Sequence, residues 1–237
     1  MPTYVYAIVS AGHPVRLDGL QGIGEPPAAL RTVSAGDITA VVSEAPEGLR
    51  AKRRDVLAHE AVVESLMADG ATLPMRFGLI GPDDARVAEV LEQDADTYRA
   101  RLGELDGHLE FHLRASRDEQ DLLREIVADS EEVRELNERT RSGTAAHEDR
   151  VALGELVARE VAERNGRQAE KTLGRLLPVA ARAARSEPGS GHFLNVSFLV
   201  PTASSKEFVD AVREEADREG DACTFTLTGP LPPYSFV

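Results

Sequence analysis

Apolar positions recur along this chain with two different periods, and the changes of period divide it into elements. Tyr4-Val5-Tyr6-Ala7-Ile8-Val9 is almost continuously apolar and rich in β-forming side chains, which predicts a strand covered on both faces. Residues 11–29 hold Gly12, Pro14, Gly19, Gly22, Gly24, Pro26 and Pro27 and read as a loop. Leu30–Val33 and Ile38–Ser43 read as short strands joined in a hairpin by the turn Ser34-Ala35-Gly36-Asp37. Over 52–69 the period becomes helical: Val56, His59, Val63, Leu66 and Met67 share a face, and Gly70 stops the helix. Thr72–Ile80 is short, apolar and glycine-bounded, which predicts a strand; Pro74, with no N–H to donate, puts it at a sheet edge or a strand start. Asp83 or Asp84 then caps a helix to about Leu102, with Val87, Val90 (or Leu91), Asp94 and Tyr98 on its line.

Beyond Gly107 the alternation is strict. Leu109, Phe111, Leu113 and Ala115 interleave with His108, Glu110, His112 and Arg114, the pattern of a strand with one buried and one solvated face. Helices are predicted over 117–128 and 130–140. A further helical stretch covers 145–185, with a stripe through Leu153, Val157, Val161, Ala169, Leu173, Leu176 and Ala180. The stripe weakens at Asn165-Gly166, which leaves a kink and the turn of a helical hairpin both open. After a loop over Ser186–Gly191 come a strand over Phe193–Val200, a helix over 206–219 ended by Gly220, and an alternating strand over Ala222–Thr228. The order predicts an α+β protein of two domains: 1–104, a mixed sheet with helices, and 105–237, a ferredoxin-like sheet with a long helical insertion.

Charge narrows the partners. With 41 acidic and 27 basic residues among 237, the formal charge is −14, which repels nucleic-acid phosphates and anionic lipid alike. No apolar run reaches the ~20 residues that span a bilayer, and no signal peptide is recognisable. We therefore expect a soluble protein that binds neither nucleic acid nor membrane. The single cysteine, Cys223, excludes an internal disulfide and fits a reducing compartment.

The candidate chemistry is thin. His108, Glu110 and His112 share one strand face and could converge on zinc, but a solvated strand face demands polar residues there anyway, and no fourth ligand is evident. Gly19-Leu20-Gln21-Gly22-Ile23-Gly24 lacks the Gly-Lys-Ser/Thr ending of a phosphate loop, and Glu25-Pro26-Pro27 follows it in place of a helix. Ser10, Ser43 and Ser197 stand outside any nucleophile-elbow context. Cys223 alternates with Phe225 and reads as a buried thiol, and His59, on the apolar stripe of its helix, as a core histidine with a hydrogen-bond partner. Neither catalysis nor a cofactor is expected.

Several segments in combination resemble one family. They are Tyr4–Val9, His59-Glu60 followed by Thr72-Leu73-Pro74-Met75-Arg76-Phe77-Gly78, then Gly107–Leu113, Phe193–Val200 and the ending Leu227-Thr228-Gly229-Pro230-Leu231-Pro232-Pro233-Tyr234-Ser235-Phe236-Val237. In this order, over the whole chain, they resemble the gas vesicle protein F/L family; Leu231 stands where the family typically has Trp. The resemblance implies a non-catalytic, minor gas vesicle component. It would contact the small, hydrophobic main shell protein and other gas vesicle accessory proteins, and act in early assembly. It would pass from the cytoplasm to the gas vesicle, on its gas-facing side. No catalytic residues carry over. Leu73, Pro74, Arg76, Phe77, Pro230, Pro233, Tyr234 and Phe236 carry over as candidate structural or partner-contact positions. Two readings of them stand side by side: a groove or sheet edge that binds the shell protein, or core packing with Arg76 paired to an internal carboxylate. A small-ligand-binding regulatory α+β module is the alternative function.

Overall fold

A computed structural model describes residues 1–141, 146–189 and 191–237. Position 145, where the long helix was expected to start, and position 190 of the expected 186–191 loop lie outside the described residues. The chain divides into two compact units: Met1–Glu110 with Pro230–Val237, and Phe111–Gly229. The tail thus groups with the first unit, where the sequence reading set it with the second.

The first unit holds β1 (Thr3–Ser10), β2 (Arg31–Ala35), β3 (Ile38–Glu44), α1 (Arg53–Asp69), β4 (Thr72–Pro74), β5 (Ile80–Gly81), α2 (Asp84–Gln93) and α3 (Ala95–Leu105). Its strand order is β2-β3-β1-β4, with β5 also on β1. Every pairing is antiparallel, so the sheet is not mixed. The reason is topological. β3 and β4, joined through α1, run the same way, but β1 lies between them and runs opposite to both. Gly36 turns the β2–β3 hairpin at φ 59°, a left-handed conformation that glycine adopts without strain.

β1 carries a bulge: Val5 pairs with Val42 and Ala7 with Val41, leaving Tyr6 as the extra residue. Tyr4, Tyr6 and Ala7 join the core with Val62, Val63 and Leu66 of α1. Val5 and Ile8 line a cleft with residues of α2. The expected strand over 72–80 is really two short pieces. Thr72–Pro74 and Ile80–Gly81 both pair with β1, and 75–79 turns outward between them, with Gly78 at φ 97°. The single helix expected to about Leu102 is likewise two, α2 and α3, meeting at Asp94.

The second unit takes β6 (His108–Arg117) from Phe111 on, then α4 (Glu119–Asp129), α5 (Glu131–Arg141), α6 (His147–Leu176), β7 (Arg182–Arg185), β8 (His192–Pro201), α7 (Ser205–Glu219) and β9 (Cys223–Leu231). The strand order is β7-β8-β6-β9. The ferredoxin-like expectation rests on a succession of strand, helices, strand, helix and strand; β7, at the edge beside β8, is a strand outside that succession. α6 runs unbroken through Asn165-Gly166. Gly166 costs about 1 kcal/mol against alanine, which packing outweighs: Leu153, Leu156, Val157 and Val161 lie against Leu122, Ile126, Val133 and Leu136 of α4 and α5. The helix stops at Leu176 rather than continuing to 185, because Pro178 follows, and Arg182–Arg185 pairs antiparallel with β8. Among the described residues no helix is long and apolar enough to cross a membrane.

Candidate functional site

The family-like segments of the first unit meet around one buried histidine. His59 is 2% exposed, at the centre of an aromatic cluster with Tyr4, Tyr6 and Phe77. Its Nε2 lies 2.9 Å from the Met75 carbonyl, which can only accept, so Nε2 carries the proton. The bare Nδ1 accepts from the Tyr4 hydroxyl at 2.9 Å, and Tyr4 Oη accepts from the Gly78 N–H at 3.2 Å. The neutral imidazole thereby ties α1 and β1 to the 75–78 turn. It is a core histidine with partners at both nitrogens.

Next to it, Tyr6 Oη accepts from the Ile23 N–H at 2.8 Å and bonds the Ser43 hydroxyl at 2.9 Å. Gly22 permits that approach, since a Cβ there would stand 2.7 Å from Tyr6 Oη and 2.6 Å from the Ala28 carbonyl. Asp55, also buried, accepts from the Gly24 N–H at 2.9 Å. The glycine-rich segment is thus a loop docked on the core.

Burial pushes the His59 ring below its ordinary 6.5, opposed by the Met75 carbonyl; burial likewise raises the Tyr4 hydroxyl. A base depressed in the folded state favours folding while neutral. Its contribution is complete above 6.5, begins to fall as pH drops through 6.5, and is lost when the buried ring itself takes a proton. We expect urea midpoints to decline between roughly pH 7 and pH 5, and a His59→Phe variant to show a flatter profile over that window.

On the opposite face of the sheet the covering elements leave a cleft with a buried floor and a partly exposed rim. Val5 and Ile8 of β1 and Ala40 of β3 form the floor of a cleft of about 270 Å3. Val87, Val90 and Leu91 of α2 and Tyr98 of α3 wall one side, with Met75, Leu79, Ile80 and Pro82 on the other. Leu79 and Ile80 are 46% and 42% exposed. Arg86 is the one charged residue of the lining, and its Nη1 lies 2.6 Å from Glu89 Oε2.

The eight sequence-derived positions fall on both sides of the surface. Leu73, Pro74, Pro233 and Phe236 are buried, and Phe77 and Tyr234 half-buried. Arg76 and Pro230 are exposed, and among the described residues Arg76 has no carboxylate partner, so it is not held inside by an ion pair. Glu110, expected on a solvated face, is 4% exposed, because it accepts from the Ser235 N–H at 2.9 Å and the Ser235 hydroxyl at 2.7 Å, anchoring the tail. Burial pushes the Tyr234 hydroxyl up to about 12, helped by Glu60 and Glu64 of α1.

The other residues singled out for chemistry lie apart. His108 Nδ1 bonds the Asp106 carbonyl at 2.7 Å, while His112 Nε2 bonds Asn195 Oδ1 at 2.6 Å. Cys223 is half-buried and its thiol is pushed up by burial. Sequence reasoning missed Val5, Ile8, Leu79, Ile80 and Arg86 as a group. The one available signal was the apolar pair Leu79-Ile80 between Gly78 and Gly81, longer than an edge strand needs.

The described residues form a two-unit α+β protein with an apolar cleft in its first unit. Comparison with known proteins makes this specific. A family model described as "Gas vesicle synthesis protein GvpL/GvpF" matches residues 2–237, and the chain belongs to that family. It is 41% identical to gas vesicle protein F of Streptomyces sp. (strain CB03234), over 100% of both chains. To gas vesicle protein L of the same organism it is 31% identical, over 99% of this chain and 92% of that one. The fold matches the crystal structure of GvpF from Microcystis aeruginosa with a TM-score of 0.83 at 23% identity, covering 99% of this chain and 98% of the other. The match to GvpF from Anabaena sp. PCC7120 has a TM-score of 0.85 at 21% identity, covering 99% and 97%.

Proposed function

We propose that this chain is a non-catalytic assembly factor and minor component of gas vesicles, which binds the hydrophobic main shell protein and supports nucleation. The observation that carries the reading is the open apolar cleft at Leu79 and Ile80 on a protein of net charge −14. A subunit that lines a gas space exposes apolar surface and aggregates in water before it assembles. A strongly acidic partner that covers part of this surface keeps the pair dispersed. In this reading Arg76 and Pro230 are contact positions, whereas Leu73, Pro74, Phe77, Pro233, Tyr234 and Phe236 hold the surface in shape. Other accessory proteins of the vesicle are further partners, and the gas-facing side is where the chain would remain.

The cleft fits a small-ligand module less well. At about 270 Å3 it is below the usual ligand-pocket range, and Arg86 and Tyr98 are its only polar side chains to orient a ligand. The test is co-expression of the shell protein with and without this chain. We expect a larger soluble fraction of shell protein and co-purification of the two. Unchanged solubility with no co-purification overturns the reading.

A further inference from the structure

The lining of the cleft says what kind of segment it accepts. In a chain with 41 acidic residues, no carboxylate lines this cleft, and its one charge is a cation, Arg86. That charge is held in an exposed pair with Glu89, which an apolar partner bringing its own carboxylate to this rim can exchange. The recognition surface is made of side chains. The backbone on its outer wall is already committed to β1, where the Val5 N–H donates to the Leu79 carbonyl and the Met75 N–H to the Tyr6 carbonyl. Addition of a strand to that backbone therefore finds no free ladder on this side of it, whereas a helix presenting side chains at i, i+3 and i+4 needs none. Helices α2 and α3 already cover the floor of Val5, Ile8 and Ala40, which is buried, so the apolar surface a partner can reach is the rim of Leu79, Ile80 and Val90.

Resting on the assembly reading above, we propose that the cleft takes the apolar face of one helix of the shell protein, placed so that a carboxylate flanking that face reaches Arg86. Glu89 now occupies the Arg86 guanidinium, and both side chains are largely exposed. An incoming carboxylate competes for the guanidinium, so removing the Glu89 charge should help the partner.

Binding of co-expressed shell protein is measured for the full chain and four variants, with near-UV CD confirming the fold of each. The double variant Leu79→Asp/Ile80→Asp should retain about tenfold less shell protein or weaker still, and Val90→Glu on the facing wall should behave alike. Arg86→Glu should weaken binding about three- to tenfold and flatten its salt dependence, while Glu89→Gln should strengthen it about two- to threefold. If the unaltered chain retains no shell protein, the assembly reading itself fails. If it does, and the cleft variants bind equally well, the shell protein sits elsewhere and the cleft proposal is overturned. If the apolar variants lose binding while Arg86→Glu and Glu89→Gln change nothing, the flanking carboxylate is overturned. A dimer of this chain that Leu79→Asp/Ile80→Asp dissociates would make a second copy the occupant, against the proposal.

Discussion

Replacing His59 with leucine is expected to destabilise the first unit by roughly 2–5 kcal/mol. Leucine fills much the same space, so the loss is one of hydrogen bonds rather than volume. The Met75 carbonyl loses its imidazole donor, and the Tyr4 hydroxyl keeps the Gly78 N–H but has nothing to donate to. Each buried polar group stranded in this way costs about 1–3 kcal/mol. The chain supplies its own reporter. It has no tryptophan, and its four tyrosines, at 4, 6, 98 and 234, all lie in the first unit. Tyrosine emission in urea therefore follows that unit. Adding Tyr4→Phe to His59→Leu should cost less than Tyr4→Phe alone, because the hydroxyl it removes is already unsatisfied. Strict additivity would contradict the chain of bonds drawn through the imidazole.

The second large effect is expected at Glu215, which is 1% exposed between α6 and α7. Its carboxylate accepts from Arg175 Nη1 at 2.8 and 3.0 Å and from the buried Thr172 hydroxyl at 3.2 Å, and it pairs with Arg218 one turn along α7. Glu215→Ala should lower the stability of the second unit by about 2–3 kcal/mol. Arg175 and Arg218 are 42% and 49% exposed, so they regain water when the carboxylate goes, while the Thr172 hydroxyl stays buried and loses its acceptor. Far-UV CD, dominated by the long helices, should show the earlier transition. Glu215→Gln, which keeps an acceptor oxygen for Thr172, should recover part of the loss; a loss equal to that of Glu215→Ala would argue against this account.

Much of the fold was legible because burial writes itself into periodicity. The continuous apolar run of β1, the Gly36-Asp37 turn and the helical spacing of Val63 and Leu66 each stated their element directly. β7 was not legible. Arg182-Ala183-Ala184-Arg185 is made of helix formers, and it becomes a strand because Pro178 ends α6 and β8 offers an edge to pair with. The outward turn at 75–79 was hidden for a similar reason, since an apolar run does not reveal which of its residues face a partner strand. His59 could be read as a core residue from its place on the stripe, but its partners, Tyr4 and Met75, come from segments 55 and 16 residues away. Of the cleft, only the Leu79-Ile80 pair was legible in the sequence. The cleft as a whole is defined by which apolar side chains α2 and α3 fail to cover, and coverage is a property of helix placement rather than of any motif.

The bulge at Tyr6 couples the two sides of the first unit's sheet. Without the bulge, strict alternation of the same residues would send Ile8 to the side of Tyr4 and Tyr6. With it, Ile8 joins Val5 under the cleft while the tyrosines stay against α1. Both surfaces are thus set by the count of a single strand. Point substitutions can tune either side separately, but a one-residue insertion beside Tyr6 would shift neighbouring residues to the wrong face and disturb the aromatic cluster and the cleft floor together. The length of this strand, more than its composition, decides which side chains reach each face.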